Sequence, residues 1–240
     1  MDPQELDKME YLGESHWWFQ GKKYILKNIM RMIDNNGGQY LDIGCGTGIF
    51  LRELGEGRQL YGVDISERAL SYCRKKVEAN LTLAQGKDLP FKNETFSLIT
   101  LLDTLEHFDQ DFEVLKEAYR VSLPGAVVMI TVPAFGFLWG GHDVAHHHKR
   151  RYTRRQLREL ALSAGFQIER LTYTNFFIFM PAFVRRFISR ISREKISDLR
   201  PTPFILNEFM KCVYKLEAGL LKKVNFPFGV SLLMVMRKPV

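Results

Sequence analysis

Cysteine is scarce in this sequence: the 240 residues contain only Cys45, Cys73 and Cys212, which lie far apart and form no CxxC pair. That spacing excludes a disulfide framework and a cysteine-rich zinc site, and it favours a reducing cytoplasm. No apolar run reaches the roughly 18 to 20 residues that cross a bilayer. The first thirty residues hold several acids and no basic leader, so no targeting segment is expected. We therefore predict a cytoplasmic chain, with peripheral contact at the inner face of the membrane as the alternative.

Internal repeats, low-complexity tracts and Gly/Ser linkers are absent as well. Short apolar runs alternate with helical patterns, which predicts an α/β fold with a mostly parallel sheet covered by helices on both faces. One domain is expected, with an N-terminal helical segment (1–36), a core (37–173), a helical insertion (174–226) and a last strand (227–240). Ligands in such sheets bind beyond the carboxyl ends of the strands. The candidate strands are residues 39–43, 59–63, 81–84, 97–102, 126–132, 166–173 and 230–236.

A glycine cluster follows the first candidate strand, in Leu41-Asp42-Ile43-Gly44-Cys45-Gly46-Thr47-Gly48. Alternate glycines admit φ values that are closed to other residues and let a ligand approach the backbone. The helix that follows offers free N–H groups to an anion, and Asp42 suits a cationic amino group. The segment resembles the first motif of class I methyltransferases that use S-adenosylmethionine (SAM). The resemblance implies that Asp42, Gly44, Cys45, Gly46 and Gly48 bind the methionine end of SAM.

A glycine loop alone would also fit a dinucleotide-binding Rossmann fold. Here the spacing is GxGxG and not GxGxxG, and a carboxylate beside the loop would repel a pyrophosphate. Asp64, followed by Ile65, ends the second candidate strand, where a carboxylate can accept both ribose hydroxyls. A nicotinamide enzyme would place an acid there too, so Asp64 does not discriminate between the two cofactors.

Two later segments extend the resemblance over residues 39–132. Gly86-Lys87-Asp88-Leu89-Pro90-Phe91 is similar to the family segment after the third strand. By that resemblance Asp88 meets the adenine amino group and Leu89 packs on the ring; an Asx turn before Pro90 is the alternative. Asp103 follows the fourth strand as in the family and joins the predicted cofactor contacts. The resemblance implies a Rossmann-like, seven-stranded sheet with an antiparallel last strand, SAM as cofactor and S-adenosylhomocysteine (SAH) as product.

Two further segments resemble a bacterial branch of the family that is often linked to cell-surface glycan and lipid pathways. They are His16-Trp17-Trp18-Phe19-Gln20-Gly21-Lys22-Lys23 and the stretch from His142 to Thr153, which contains HHHKRRYT. In the common class I arrangement an N-terminal helix and the loop after strand five cover the active site. Trp17 and Trp18 are therefore candidates for a lid over the acceptor; the alternative is that they anchor the helix to the domain.

The histidine-rich segment allows two interpretations. His142 and His146 are four residues apart beside Asp143, a spacing that would suit a metal on a helix. After Gly140-Gly141, however, a helix is not expected, and three neighbouring basic residues would oppose a cation, so no metal is predicted. The preferred interpretation is a cationic loop that binds an anionic acceptor. Its candidate contacts are His146, His147, Arg150, Arg151 and Tyr152, with a role for Tyr152 as an anchor of the next helix as the alternative.

Methyl transfer from a sulfonium depends mainly on in-line positioning, because the donor is already activated. A hydroxyl acceptor would also need a base, and histidine suits neutral pH. We assign this role to His148 or to His107, although His107 could instead be a helix-start histidine bonded to the backbone.

Basic residues are concentrated in the second half of the chain. Residues 1–139 contain 15 Lys and Arg against 20 Asp and Glu, whereas residues 140–223 contain 17 against 7. Such a field favours an anionic acceptor, and the Phe- and Arg-rich helix after Asn175 suits either a membrane surface or a packed helix.

Nucleic acid is not the expected partner, because the motifs of amine- and C5-cytosine-methylating enzymes are missing. The sequence thus predicts a SAM-dependent methyltransferase, monomeric or homodimeric, that acts on oxygen of a small or lipid- or glycan-linked acceptor. The alternative is a non-catalytic SAM-binding or RNA-binding module.

Overall fold

A single seven-stranded sheet organises the chain. The computed structural model describes residues 3–33, 37–192 and 201–240. The strand order is β3-β2-β1-β4-β5-β7-β6, and the last strand in sequence pairs antiparallel with both of its neighbours while the other pairings are parallel. This confirms the predicted α/β fold class and the antiparallel last strand. The strands are β1 (Gln39–Ile43), β2 (Gln59–Asp64), β3 (Asn80–Leu83), β4 (Phe96–Leu102), β5 (Ser122–Pro133), β6 (Gln167–Thr174) and β7 (Ser231–Arg237).

Helices connect the strands and add to both ends of this core. The α-helices of the described ranges are α1 (Pro3–Leu12), α2 (Trp17–Ile33), α3 (Ile49–Leu54), α4 (Glu67–Arg74), α5 (Asp111–Val121), α6 (Gly141–Ala145), α7 (Arg154–Ser163), α8 (Phe179–Ser192) and α9 (Phe204–Leu220). Thr153 and Gln156 form a capping box at the start of α7, and Gly165 follows its end with a φ of 98°. Within the described ranges, no helix combines the length and the apolar character that crossing a membrane requires.

The core is centred on β4 and β5, whose side chains are buried on both sides of the sheet. Ile99, Leu101, Val128 and Ile130 have no exposed surface. Strands covered on both faces read as continuous apolar runs because neither side meets water. Burial of each such side chain contributes about 1.5 to 3 kcal/mol, so these strands hold the rest of the sheet in place. Their carboxyl ends are thereby fixed as the edge on which a site can be built.

Two boundaries differ from the sequence prediction. The N-terminal segment, expected to be helical over residues 1–36, forms two helices, α1 and α2, with a turn between them. Gly13 lies in this turn, where a Cβ would stand 2.2 Å from Ile49 Cδ1. The fifth strand begins at Ser122 and not at Ala126, because Pro124 and Gly125 continue the strand beyond a register shift against β4. Both differences arise from tertiary contacts that local periodicity does not carry.

The predicted helical insertion contains two helices, α8 and α9, and α9 packs against α2. The contact between α2 and α9 is so close that a Cβ on Gly21 of α2 would lie 2.2 Å from the Tyr214 ring of α9. Glu217, buried on α9, accepts hydrogen bonds from the backbone N–H groups of Asn175, Phe176 and Phe177, which ties the insertion to the end of β6. Residues 34–36 of the predicted lid and 193–200 of the predicted insertion lie outside the described residues, and the division into lid, core and insertion stays a prediction.

Candidate functional site

A cavity of about 1200 Å³ opens at the carboxyl ends of the strands. Pockets for one small ligand commonly measure about 300 to 1,000 Å³, so this cavity has room for a donor and an acceptor. Its walls fall into three regions. The glycine-rich loop after β1 and the end of β2 form one, a cluster of histidines after β4 and β5 forms the second, and apolar side chains of α8 and α9 form the third.

The glycine-rich loop has the shape of a ligand cradle. Gly44, Gly46 and Gly48 have φ values of 78°, 54° and 79°, in the left-handed region that favours glycine. A Cβ on Gly44 would collide with Thr104, whereas a Cβ on Gly46 would meet no atom within 4 Å. The position beside Gly46 is thus open space at the cavity wall that a bound group can fill. Of the predicted loop contacts, Gly44, Cys45 and Gly46 line the cavity, and Gly48 starts α3 behind them.

Asp42 lies beneath this loop and is buried. Its carboxylate accepts a 2.5 Å hydrogen bond from Thr100 Oγ1, which lies 2.7 Å from the Tyr40 hydroxyl. Burial raises the pKa of Asp42 to about 7, against the lowering effects of the Thr100 bond and the Lys22 charge, and Asp64 raises it further. A cation bound above Asp42 would reverse this shift, because an opposite charge favours the ionised carboxyl.

Asp64 ends β2 and holds the loop in place. Its two oxygens accept hydrogen bonds of 2.9 Å from the backbone N–H groups of Gly46 and Ser66. Burial raises the pKa of this carboxyl, and these backbone bonds oppose the rise. Ile65 follows with 70% of its surface exposed at the cavity wall. The structure therefore brings both predicted β2 residues to the glycine-rich loop.

Asp88 and Leu89 do not line the cavity, and their predicted contact with adenine stays a prediction. Leu89 is buried, its N–H donates to Glu117 Oε2, and its carbonyl accepts from Arg120 Nη2. Asp88 is exposed beside it. These contacts turn the segment toward α5, since the helix carboxylate and guanidinium satisfy its backbone there. The cavity wall next to Ile65 consists instead of Ser66, Ala84, Gly86 and Phe108, which sequence reasoning missed.

Asp103 reaches the cavity from the end of β4 with a backbone φ of 52°, a strained value for a residue other than glycine. Lys22 of α2 forms a 2.5 Å ion pair with it. Burial opposes ionisation of Asp103, but the charge and hydrogen bond of Lys22, with help from Thr131, hold its pKa below the usual value. The N-terminal helix is thus bound electrostatically to the donor end of the cavity. No local pattern predicts this pairing, because the two partners are 81 positions apart in the chain.

Trp17 and Trp18 line the cavity and also anchor α2. Trp17 Nε1 donates to Thr202 Oγ1 at 3.1 Å, and its backbone N–H donates to Asn207 Oδ1 at 2.8 Å. Both indole rings contact the Tyr214 ring of α9. The two interpretations of these residues therefore hold together: the same rings attach the helix and form a wall of the cavity.

Asp143 organises the histidine cluster. His148 Nδ1 lies 2.9 Å from Asp143 Oδ1, and Arg151 donates to both oxygens of Asp143 at 2.8 and 2.9 Å. A carboxylate only accepts, so Nδ1 of His148 carries a hydrogen. Burial raises the pKa of Asp143, but the bonds from His148 and Arg151 outweigh it and hold that pKa well below the usual value.

Glu106, a residue not predicted for the site, faces the same cluster. It is fully buried, and neither carboxylate oxygen has a hydrogen-bond partner among the described residues. Burial and the Asp103 charge raise its pKa well above the usual value. The spacing Asp103-x-x-Glu106-His107 after a strand was the available signal, because the short 3₁₀ turn Leu105–His107 directs these side chains into one region.

Burial lowers the pKa of three further histidines of the cluster. Burial, followed by the charge of His148, lowers the pKa of His107 and of His146 to about 4. Burial and the neighbouring His146 likewise lower that of His142. His147 is exposed at the cavity wall with a φ of 55°. The predicted His107, His146, His147 and His148 are therefore brought together, and α6 adds His142.

Arg150 and Tyr152 do not line the cavity, and their predicted contact with the acceptor stays a prediction. Arg150 pairs with Asp111 at 2.9 Å, and the buried Tyr152 hydroxyl donates to the same carboxylate at 2.7 Å. Asp111 begins α5, so both side chains are drawn to that helix. Arg151 does line the cavity, with its guanidinium bound to Asp143. The alternative role of Tyr152 as an anchor fits its position, although its partner is α5.

The third wall of the cavity is apolar. Its side chains come from the segment between β6 and α8 (Phe177 and Ile178) and from α9 (Phe209, Met210 and Val213). Next to this wall, Phe204 and Ile205 at the start of α9 are 79% and 84% exposed. Exposed apolar clusters of this kind commonly mark a binding surface.

A family model described as a methyltransferase domain matches residues 17–171. Similar curated proteins are demethylmenaquinone methyltransferases. That of Bacillus mycoides is 34% identical over 122 residues, which is 46% of this chain and 52% of the relative. One from Bacillus cereus is 37% identical over the same shares. The chain thus spans about half the length of the curated relatives it matches.

Solved structures show the same fold at low identity. A chain from the complex of the Haloferax volcanii Trm112 methyltransferase activator with a putative methyltransferase has a TM-score of 0.66 at 18% identity, covering 99% of this chain and 95% of that one. Haemonchus contortus phosphoethanolamine N-methyltransferase 2, in complex with SAM, has a TM-score of 0.60 at 21% identity, covering 90% and 52%.

Proposed function

Because the chain belongs to the family of SAM-dependent class I methyltransferases, we propose that this enzyme transfers the methyl group of SAM to a hydroxyl oxygen of a small or lipid-linked acceptor. The observation that carries the proposal is the cavity itself, in which the donor loop, the histidine cluster and the apolar wall line one space. The donor residues of this proposal are Asp42, Gly44, Cys45, Gly46, Asp64, Ile65 and Asp103.

The open space beside Gly46 supports placement of SAM at this loop. A carboxylate of the cofactor would meet the backbone N–H groups at the start of α3, and its ammonium would meet Asp42 and Asp103. Asp64 keeps lone pairs for the ribose hydroxyls beside its two backbone bonds, since a carboxylate offers about four acceptor positions. SAM supplies an activated methyl group, so the protein has to bind, orient and exclude water.

In the proposed step the acceptor oxygen attacks the methyl carbon while the carbon–sulfur bond breaks. The electron pair of that bond goes to sulfur, which leaves as neutral SAH, and the hydroxyl proton passes to the pair formed by His148 and His107. The His148 ring is oriented by Asp143, as described above, which supports its role as the nearer acceptor of the proton. The His107 ring touches it, with ring centres 4.8 Å apart.

Transfer of a labelled methyl group tests the proposal. The purified enzyme is incubated with methyl-labelled SAM and with polar, glycan and lipid fractions of a bacterial extract, and the labelled product is identified by mass spectrometry and NMR. We expect the label in a methyl ether from the lipid fraction. A labelled N-, C- or S-methyl product would overturn the oxygen assignment, and a water-soluble product would overturn the lipid-linked one.

SAM affinity is expected to rise with pH up to about 7. The pKa of Asp42 is about 7 in the free protein, and a bound ammonium lowers it, so binding below that pH must expel a proton. Between pH 5 and 7 the affinity should therefore increase about tenfold per pH unit. Calorimetry with SAH measures this slope, and the uncharged, isosteric Asp42→Asn variant should lose it. A slope that persists unchanged in this variant would assign the proton to Asp64.

Lipid-linked acceptors would reach the cavity from a membrane surface, and the start of α9 is the proposed contact. Phe204, Ile205 and Phe209 are exposed there, while Lys211 and Lys215 lie on the same helix. An apolar face with lysines nearby suits an anionic bilayer. The proposed anionic part of the acceptor would meet Lys149, Arg185 and Arg186, which line the cavity.

Vesicle binding should therefore depend on the exposed start of α9. Replacement of Phe204 and Ile205 by aspartate should reduce sedimentation with phosphatidylglycerol vesicles at least about tenfold. The variant has no apolar side chains to insert into the bilayer at these positions, and its two added negative charges are repelled by the anionic lipid. Leu162→Asp, at an exposed apolar position of α7, serves as the matched control. Equal loss in both variants, or no binding by the wild type, would refute the membrane contact.

A further inference from the structure

Three histidines of the cluster converge on one point. One ring nitrogen from each of His142, His146 and His148 lies within 4.8 Å of those from the other two. The arrangement follows from the backbone: the short α6 helix places His142 and His146 one turn apart, with the N–H of His146 bonded to the carbonyl of His142 at 3.0 Å. The left-handed φ of His147 then reverses the chain and returns His148 to the same side.

We propose that His142, His146 and His148 form a binding site for a divalent transition-metal ion. Three imidazoles with an open fourth position constitute a frequent donor set for zinc, and imidazole also suits iron, nickel and copper. Magnesium and calcium prefer oxygen ligands and do not match this set. The fourth position would face the cavity, and that part of the inference rests on the proposed function.

Unpartnered buried atoms support the site. His142 Nδ1 and His146 Nε2 are buried and have no hydrogen-bond partner among the described residues. A buried polar atom without a partner costs about 1 to 3 kcal/mol, so each needs an explanation. A metal ion supplies one, because it replaces the missing donor at each nitrogen.

The surroundings of His148 have the features of a metal-binding histidine. Its Nδ1 donates to Asp143, which leaves Nε2 as the ligand atom and fixes the ring. Histidines that bind metals almost always donate their second nitrogen in this way. Asp143 is itself held by the N–H of Gly140 at 2.8 Å and by Arg151, so the ring is positioned before any ion binds.

Two features of the sequence weighed against a metal: the glycines that precede the segment and the three basic residues that follow it. In the structure neither feature opposes binding. The segment does form a short helix, α6, with His142 and His146 one turn apart. The three basic residues are neutralised by carboxylates: Lys149 lies 3.6 Å from Asp109, Arg150 pairs with Asp111, and Arg151 pairs with Asp143.

Two acidic side chains lie beside the three nitrogens. Glu106 Oε1 lies 3.8 Å from His148 Nε2, and Glu5 Oε2 lies 3.5 Å from His146 Nε2. In the ion-bound protein Nε2 of His148 would be a ligand, and the proton-accepting role proposed for His148 in the metal-free enzyme would pass to His107. A cation bound there would favour ionisation of Glu106 and Glu5, whose carboxylates would then balance its charge in this buried region.

Metal content is measured on the full chain, without SAM or acceptor, after removal of any purification tag. The protein is stripped with a chelator, loaded with zinc or cobalt(II), desalted and analysed for metal per chain and for the cobalt absorption spectrum. We expect about one ion per chain and a four-coordinate cobalt spectrum with nitrogen and oxygen ligands. The double variant His142→Ala/His146→Ala should bind at least about 100-fold more weakly.

His147→Ala is the matched control, because this neighbouring histidine is exposed and lies outside the three-histidine group; it should keep the full metal content. Absence of metal in the wild type, or equal loss in the control, would overturn the site. A sulfur-to-cobalt absorption band would assign binding to a cysteine instead. If the double variant fails to fold, Asp143→Asn decides: it should weaken binding about 10- to 100-fold, and unchanged affinity would overturn the proposal. Since no turnover is measured, this outcome is independent of the labelling experiment.

Discussion

Alanine in place of His148 is expected to reduce the turnover of SAM about 100- to 10,000-fold and to leave the affinity for SAH within about twofold. The imidazole lies at the acceptor end of the cavity, where its Asp143-oriented ring is proposed to receive the hydroxyl proton. The donor loop is made of other residues, so cofactor binding does not depend on this ring. Single-turnover kinetics with labelled SAM and calorimetry with SAH measure the two effects separately.

A control and a rescue make this prediction specific. Arg155→Ala, at an exposed position whose side chain pairs with Glu159, should leave turnover unchanged. Added imidazole should restore part of the activity of His148→Ala, because the truncated side chain leaves space of that shape. Loss of SAH binding together with turnover would show that the ring supports the fold of the cavity and not the transfer step.

Asp64→Ala is expected to weaken SAH binding about 30- to 1,000-fold, which corresponds to about 2 to 4 kcal/mol. The change removes the proposed ribose contacts and also leaves the N–H groups of Gly46 and Ser66 without their acceptor. Charge-assisted hydrogen bonds contribute about 1.5 to 3 kcal/mol each, and without Asp64 the ligand alone must hold the glycine-rich loop in place. Calorimetric titration measures the affinity.

Asp88→Ala provides the comparison, because sequence resemblance assigns Asp88 to adenine whereas the structure places it on the outside. We expect SAH affinity close to that of the wild type. A loss as large as that of Asp64→Ala would return Asp88 to the cofactor site and contradict the position of this segment. Circular dichroism of both variants verifies that the fold is retained.

Local signals account for what could be predicted. The spacing of the glycines and the neighbouring Asp42 define the predicted donor loop within eight residues. The alternation of apolar runs and helical patterns predicts the succession of strands and helices along the chain. These features depend on backbone φ values and on periodicity, which the sequence carries directly. The capping box of α7 was readable for the same reason, because both of its partners lie within one helical turn.

The direction of side chains after β5 could not be predicted, because it depends on distant partners. Arg150 and Tyr152 turn away from the cavity toward Asp111, about forty residues earlier. Lys22 and Asp103 likewise meet only in the folded chain. Glu106 was visible in the sequence, but nothing local indicated that both of its oxygens would be buried without a partner.

The close contact between Gly21 and Tyr214 makes α2 and α9 a single mechanical unit. With the glycine backbone lying against the ring, and with Trp17 bonded to Asn207 of α9, neither helix can swing away without the other. Lys22 of α2 pairs with Asp103 at the proposed SAM site, and Phe204 of α9 belongs to the exposed apolar surface. These two regions must therefore move together. If the enzyme binds a bilayer through Phe204, as proposed, any movement of α2 at the cavity would also displace the membrane-bound start of α9.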